Sequence, residues 1–93
     1  MIKQIVRTPH FKRDYKALLK KHVDTKLFEA ALVALVAQDG DLLRTRFKDY
    51  ALKGEWAGYR ELHISGDWLL IYRIEDEQLQ LVLTRTGSHD DLF

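Results

Sequence analysis

Three apolar runs, residues 59–64, 68–74 and 79–84, dominate the second half of the chain. Each is rich in aliphatic and aromatic residues, and they are separated by Ser65-Gly66 and by Glu75-Asp76-Glu77. Short runs of this kind, bounded by compact polar breaks, predict consecutive antiparallel strands. The polar residues able to do chemistry, His63, Asp67, Arg85 and His89, fall at the ends of the runs. The pattern predicts a sheet that serves as a platform for a site at its margin.

A chain of 93 residues is expected to form one domain with a small core. Such a chain buries only roughly 60–65% of its unfolded surface. No cysteine is present, which removes disulfides and thiolate metal sites. The sequence lacks the uncharged apolar stretch of about 18 residues that a membrane helix needs. Its first residues lack the apolar centre of a signal peptide, so the cytoplasm is the expected compartment. The net charge of +1 conceals an asymmetry. Residues 1–48 hold eleven Lys/Arg against five Asp/Glu, and residues 49–93 hold four against nine. The first half therefore offers a candidate polyanion-binding surface.

Residues 2–7 alternate enough to form a short strand. Thr8-Pro9 then reads as an N-cap followed by proline at the first helical position. Phe11, Tyr15, Leu18, Leu19 and His22 recur at helical spacing, while Lys12, Arg13, Lys16, Lys20 and Lys21 occupy the other faces. Asp24 is placed to cap a second helix with Leu27, Phe28, Ala31, Leu32, Leu35 and Val36 on its stripe, and Gly40 to end it. These two helices form a hairpin whose stripes need a sheet to cover. Residues 41–58 are the least regular part, with Leu42, Leu43 and Phe47 turned inward and Gly54 and Gly58 as turn points around Trp56. Arg44, Arg46 and Lys48 place positive charge beside whatever this segment flanks.

Hairpin register decides whether the reactive residues meet. A three-residue loop at Ile64-Ser65-Gly66, with Gly66 left-handed, sets His63 across from Asp67. A three-residue loop at Glu75-Asp76-Glu77 sets Asp67 across from Arg85. An imidazole, a carboxylate and a guanidinium would then lie abreast on one face, and a slip of one residue would break the alignment. Together with His89 they suit RNA cleavage by its own 2′-hydroxyl, which needs a base, an acid and a cation near neutral pH. No HxH or HExxH spacing points to a metal, and no cofactor is expected.

The run Leu52-Lys53-Gly54-Glu55-Trp56-Ala57-Gly58-Tyr59-Arg60-Glu61-Leu62-His63 is followed by Asp67-Trp68-Leu69-Leu70-Ile71-Tyr72, by Arg85-Thr86-Gly87-Ser88-His89 and by Leu92-Phe93. This pattern resembles the YafQ-type toxins of the RelE/ParE superfamily. The resemblance implies an α+β, RelE-like fold: an N-terminal strand and a helical hairpin packed on a twisted antiparallel sheet of four to five strands. It implies an mRNA interferase that cuts mRNA in the A site of the 70S ribosome and is neutralised by a DinJ-like antitoxin, with operator DNA reached only through the antitoxin complex. By motif position His63, Asp67 and His89 correspond to catalytic residues, with Asp67 or His63 as base and His89 as acid. Arg85 would stabilise the phosphorane and Phe93 would position substrate. The family usually carries histidine in a KDHxLxG motif, and here Lys48-Asp49-Tyr50-Ala51-Leu52-Lys53-Gly54 has Tyr50. A phenol with a pKa near 10 is a poor base at neutral pH.

Two other readings share this fold. One is a non-nucleolytic, ParE-like toxin; the other is a catalytically silent antitoxin-binding component, to which Tyr50 gives weight. Lys12, Arg13, Lys16, Lys20, Lys21, Arg44, Arg46 and Lys48 are candidate phosphate contacts with rRNA or mRNA, or simply a solvated basic face.

Overall fold

A computed structural model describes residues 2–93. The elements are β1 (Gln4–Arg7), α1 (Pro9–Lys20), α2 (Thr25–Ala37), α3 (Gly40–Thr45), β2 (Tyr50–Ala51), β3 (Arg60–Ser65), β4 (Trp68–Glu75), β5 (Gln80–Gly87) and α4 (His89–Leu92). The five strands form one mixed sheet in the order β1-β5-β4-β3-β2. Every neighbouring pair is antiparallel except β1–β5, which is parallel and reached through the helices.

The helix starts follow the sequence closely. The Thr8 hydroxyl accepts from the Phe11 amide (3.1 Å) and donates to the Thr84 carbonyl (2.9 Å), so one cap both begins α1 and ties it to β5. Asp24 caps α2 by accepting from the Lys26 amide at 3.0 Å. The helix ends differ from the reading. α1 stops at Lys20, and His22 lies beyond it in the left-handed region (φ 59°), so it is not part of the apolar stripe; Leu19 faces solvent. Gly40 does not end α2. Gln38 takes the left-handed position (φ 53°), and Asp39 accepts from the Leu42 amide, so that Gly40 opens α3. The Asp39 cap outweighs glycine's preference for a helix end.

The segment read as irregular therefore contains α3, the short strand β2 and a 3-10 turn over Gly54–Trp56. Leu42, Leu43 and Phe47 do turn inward, and Gly54 and Gly58 are left-handed (φ 68° and 92°).

Both hairpin loops differ from expectation. Ser65 pairs with Trp68, so the first loop is the two residues Gly66-Asp67, and the extra residue, Ile64, is taken up as a bulge. Gly66 is left-handed, as a tight turn requires (φ 51°). Glu75 pairs with Gln80, making the second loop four residues long with Leu79 left-handed (φ 52°), and Thr84 is bulged. Leu79 thus belongs to the turn, and β5 runs on to Gly87.

The two faces of the sheet are unequal. One is covered by α1, α2 and α3, whose Phe11, Leu18, Phe28, Leu35 and Leu43 pack on Leu62, Leu70, Tyr72, Leu81 and Leu83. On the other, Leu69 and Ile71 are covered by Leu92 of α4 and by Leu52, Trp56 and Tyr59.

Candidate active site

The thinly covered face carries the reactive residues. His63 pairs with Leu69 and Leu69 with Gly87, so three positions stand abreast near one end of β3, β4 and β5. β5 leads at once into α4, whose start is closed by a capping box: the Ser88 hydroxyl accepts from the Asp91 amide (3.2 Å), and the Asp91 carboxylate accepts from the Ser88 amide (3.1 Å). These bonds hold the Asp91 carboxyl below its ordinary range. Leu92 is buried on Leu69 and Ile71 and seats the turn on the sheet.

Asp67 in the β3–β4 turn reaches this short helix and accepts from the His89 amide at 3.1 Å. The contact fastens the hairpin tip to the residue that supplies the second imidazole. Beyond it an aromatic chain crosses the face. The His89 and Phe93 rings lie 5.1 Å apart, Phe93 and Trp56 6.2 Å, and Trp56 and Tyr59 5.4 Å. Phe93 is 52% exposed and presents a ring on which a base can stack.

Tyr50 faces Glu61 across the β2–β3 ladder and donates its hydroxyl to Glu61 Oε1 at 2.8 Å. That hydrogen bond, then partial burial, then the carboxylate charge raise the phenol above its ordinary pKa. Its segment is anchored by the preceding residue. The Asp49 carboxylate accepts from Arg60 Nε at 2.7 Å and from the Tyr72 hydroxyl. Burial, reinforced by the Asp49 contact, pushes the Tyr72 phenol up strongly. The His63 amide donates to the Phe47 carbonyl at 2.7 Å, and its ring Nε2 lies 3.5 Å from Glu61 Oε1.

The row of His63, Asp67 and Arg85 does not form. Asp67 sits in the turn rather than on a strand, and the Thr84 bulge sets Arg85 opposite Ile71. Arg85 is instead held by Asp14 of α1, through Nε to Oδ2 at 2.7 Å and a second bond at 3.2 Å. Asp14 also accepts from the Thr86 amide, so α1 closes the part of β5 that extends past β1. The Asp14 contact raises the already basic guanidinium. Lys12, Arg13, Lys16, Lys20 and Lys21 are exposed on or just after α1. Arg44 pairs with Asp41, Arg46 lies over the Phe47 ring at 5.0 Å, and Lys48 is exposed with a left-handed backbone.

Residues 3–93 match the family described as the bacterial toxin of type II toxin–antitoxin systems, YafQ. The chain belongs to the YafQ toxin family. The mRNA interferase toxin YafQ of Escherichia coli K12 is 36% identical over 83 residues, covering 89% of this chain and 87% of that protein. YafQ in the E. coli DinJ–YafQ complex superposes with a TM-score of 0.85 at 32% identity, covering 100% of this chain and 99% of that one. A metal-bound toxin from Helicobacter pylori superposes with a TM-score of 0.87 at 34% identity over all of both chains.

In this YafQ-family chain three carboxylates escaped the sequence reading: Asp14, Asp49 and Glu61. Asp14 and Asp49 find partners from distant segments, which no local pattern announces. Glu61 carried a readable signal, since a charged residue two positions before His63 in a strand shares its face. Among the described residues no group of three or more His, Cys, Asp or Glu is arranged to hold a metal ion. No helix among them is long and apolar enough to cross a membrane.

Proposed function

We propose that this toxin is an endoribonuclease that cuts mRNA in the ribosomal A site and so inhibits translation, working in the cytoplasm. The observation that carries the reading is the Asp67–His89 contact beside His63 and Phe93 at one end of the sheet. These residues supply a base, an acid and a stacking surface in one place. Asp67 or His63 removes the 2′-hydroxyl proton, and the freed oxygen attacks the adjacent phosphorus. His89 protonates the departing 5′-oxygen, leaving a 2′,3′-cyclic phosphate and a 5′-hydroxyl. Arg85, released in part from Asp14, balances the phosphorane charge. Since acid and base are side chains, cleavage needs no metal and persists in a chelator.

Exposed Lys12, Arg13, Lys16, Lys20 and Lys21, with Arg46 and Lys48, meet rRNA and mRNA phosphates. A DinJ-like antitoxin neutralises the toxin, as the complexed relative suggests, and operator DNA is reached through that complex. The chain acts as one domain.

Tyr50 supports a second reading, a toxin of reduced activity. Its proton is committed to Glu61 and its pKa is raised, so it cannot act as a base near neutral pH. Cleavage on programmed ribosomes by the native chain and by Tyr50→His decides between them. Equal cleavage supports the first reading, cleavage by the variant alone supports the second, and silence from both folded proteins rejects the nuclease.

A further inference from the structure

Among the described residues Glu61 is the one charged residue with no exposure to solvent. Its Oε2 has no hydrogen-bond partner, and its Oε1 meets both Tyr50 Oη at 2.8 Å and His63 Nε2 at 3.5 Å. A buried carboxylate so sparsely paired is unfavourable for folding. Groups of this kind are characteristic of sites that do chemistry.

The neighbours define what it can act on. β2 contributes Tyr50 and β3 contributes His63. β4 sets Ile71 against Glu61 and Leu69 against His63, both apolar. Titratable groups on or near this face also include Tyr59 before β3, Asp67 in the turn, Arg73 of β4 with its partner Glu75, and His89, Asp90 and Asp91 in α4. Arg85 is turned to Asp14. Among the described residues the His63 ring is the one basic group within ion-pair distance of the carboxylate.

A carboxylate facing one ring nitrogen fixes the proton there and leaves the other nitrogen for substrate. At 3.5 Å the two atoms face each other without a formed hydrogen bond, a separation that substrate binding can close in a catalytic site. We infer that Glu61 is a positioning residue: its carboxylate holds His63 as the Nε2-protonated tautomer, with Nδ1 free for the RNA, and holds Tyr50 as a hydrogen-bond donor. The role toward RNA rests on the proposed nuclease activity; the tautomer does not.

The test is Glu61→Gln in the full chain, read by 15N-edited imidazole spectra and by RNA cleavage on programmed ribosomes. Gln keeps the shape and an acceptor for Tyr50 but removes the charge. The native protein is expected to show His63 protonated at Nε2 alone when neutral, and E61Q to show a mixture. The rate constant for cleavage should fall roughly 10- to 100-fold with KM changed less than about twofold. The Tyr50 phenol should titrate lower in E61Q, toward its ordinary range. A native His63 without that single tautomer, or an E61Q protein that keeps both tautomer and rate, overturns the inference. If the native chain cuts no RNA, the nuclease reading fails, and the tautomer comparison alone decides the role of Glu61. Where E61Q does not fold, Glu61→Asp carries the test. Withdrawing the carboxylate by one methylene should mix the tautomers, and an unchanged single tautomer overturns the proposal.

Discussion

The two faces of the sheet are made by the same strands and do opposite things. In β3, Leu62 and Ile64 point to the helices, while Glu61 and His63 point the other way. In β4, Leu70 and Tyr72 enter the large core, while Leu69 and Ile71 floor the site. The helix face is thick and apolar. The site face holds the small apolar cluster of Leu69, Ile71 and Leu92 and a carboxylate that the fold alone would not favour. Stability and chemistry are thus divided by the period-two alternation of the strands, and the division makes the faces separable by mutation.

The largest stability effect belongs on the helix face. Leu35→Ala removes a fully buried side chain from α2 and should cost about 2–5 kcal/mol by urea unfolding. In a chain with a thin stability margin that is enough to populate the unfolded state. His89→Ala should behave oppositely: a stability change within about 0.5 kcal/mol, as for other exposed side chains, but cleavage lowered ~10²–10⁴-fold. A comparable loss of stability in the two variants would erase the distinction between faces.

Asp67→Ala lies between these cases. It removes the acceptor for the His89 amide and should loosen α4 by about 1 kcal/mol, visible as faster amide exchange at His89. The smallest effect is one of pH. The Tyr72 phenol, raised by burial and by Asp49, favours the folded state while it is protonated. That contribution is complete below about pH 10 and is lost as pH rises through the raised folded value. Denaturation midpoints should therefore fall as pH is raised above about 10 in the native chain, and less steeply in Tyr72→Phe.

The legible parts of this fold are those written locally. Thr8-Pro9 and Asp24 cap α1 and α2, and the three apolar runs are the three long strands. The turns were harder, because loop length depends on which residues pair across the hairpin. Ser65 pairing with Trp68 and Glu75 with Gln80 moved both loops from the lengths that composition suggested. Those shifts, with the bulges at Ile64 and Thr84, separate Arg85 from Asp67. The candidate site was legible as a place, one end of the sheet, but not as a set of contacts. Asp14 reaches Arg85 across 71 positions of sequence, and Tyr72 reaches Asp49 across 23. Only folding brings such pairs together.

The most direct measurement pairs two readings of His89→Ala and the native chain: mRNA cleavage on programmed ribosomes and the thermal unfolding midpoint. The account predicts that the native chain cuts, that the variant does not, and that the two midpoints agree. Equal cutting by both proteins, or loss of cutting that follows a loss of fold, would contradict it.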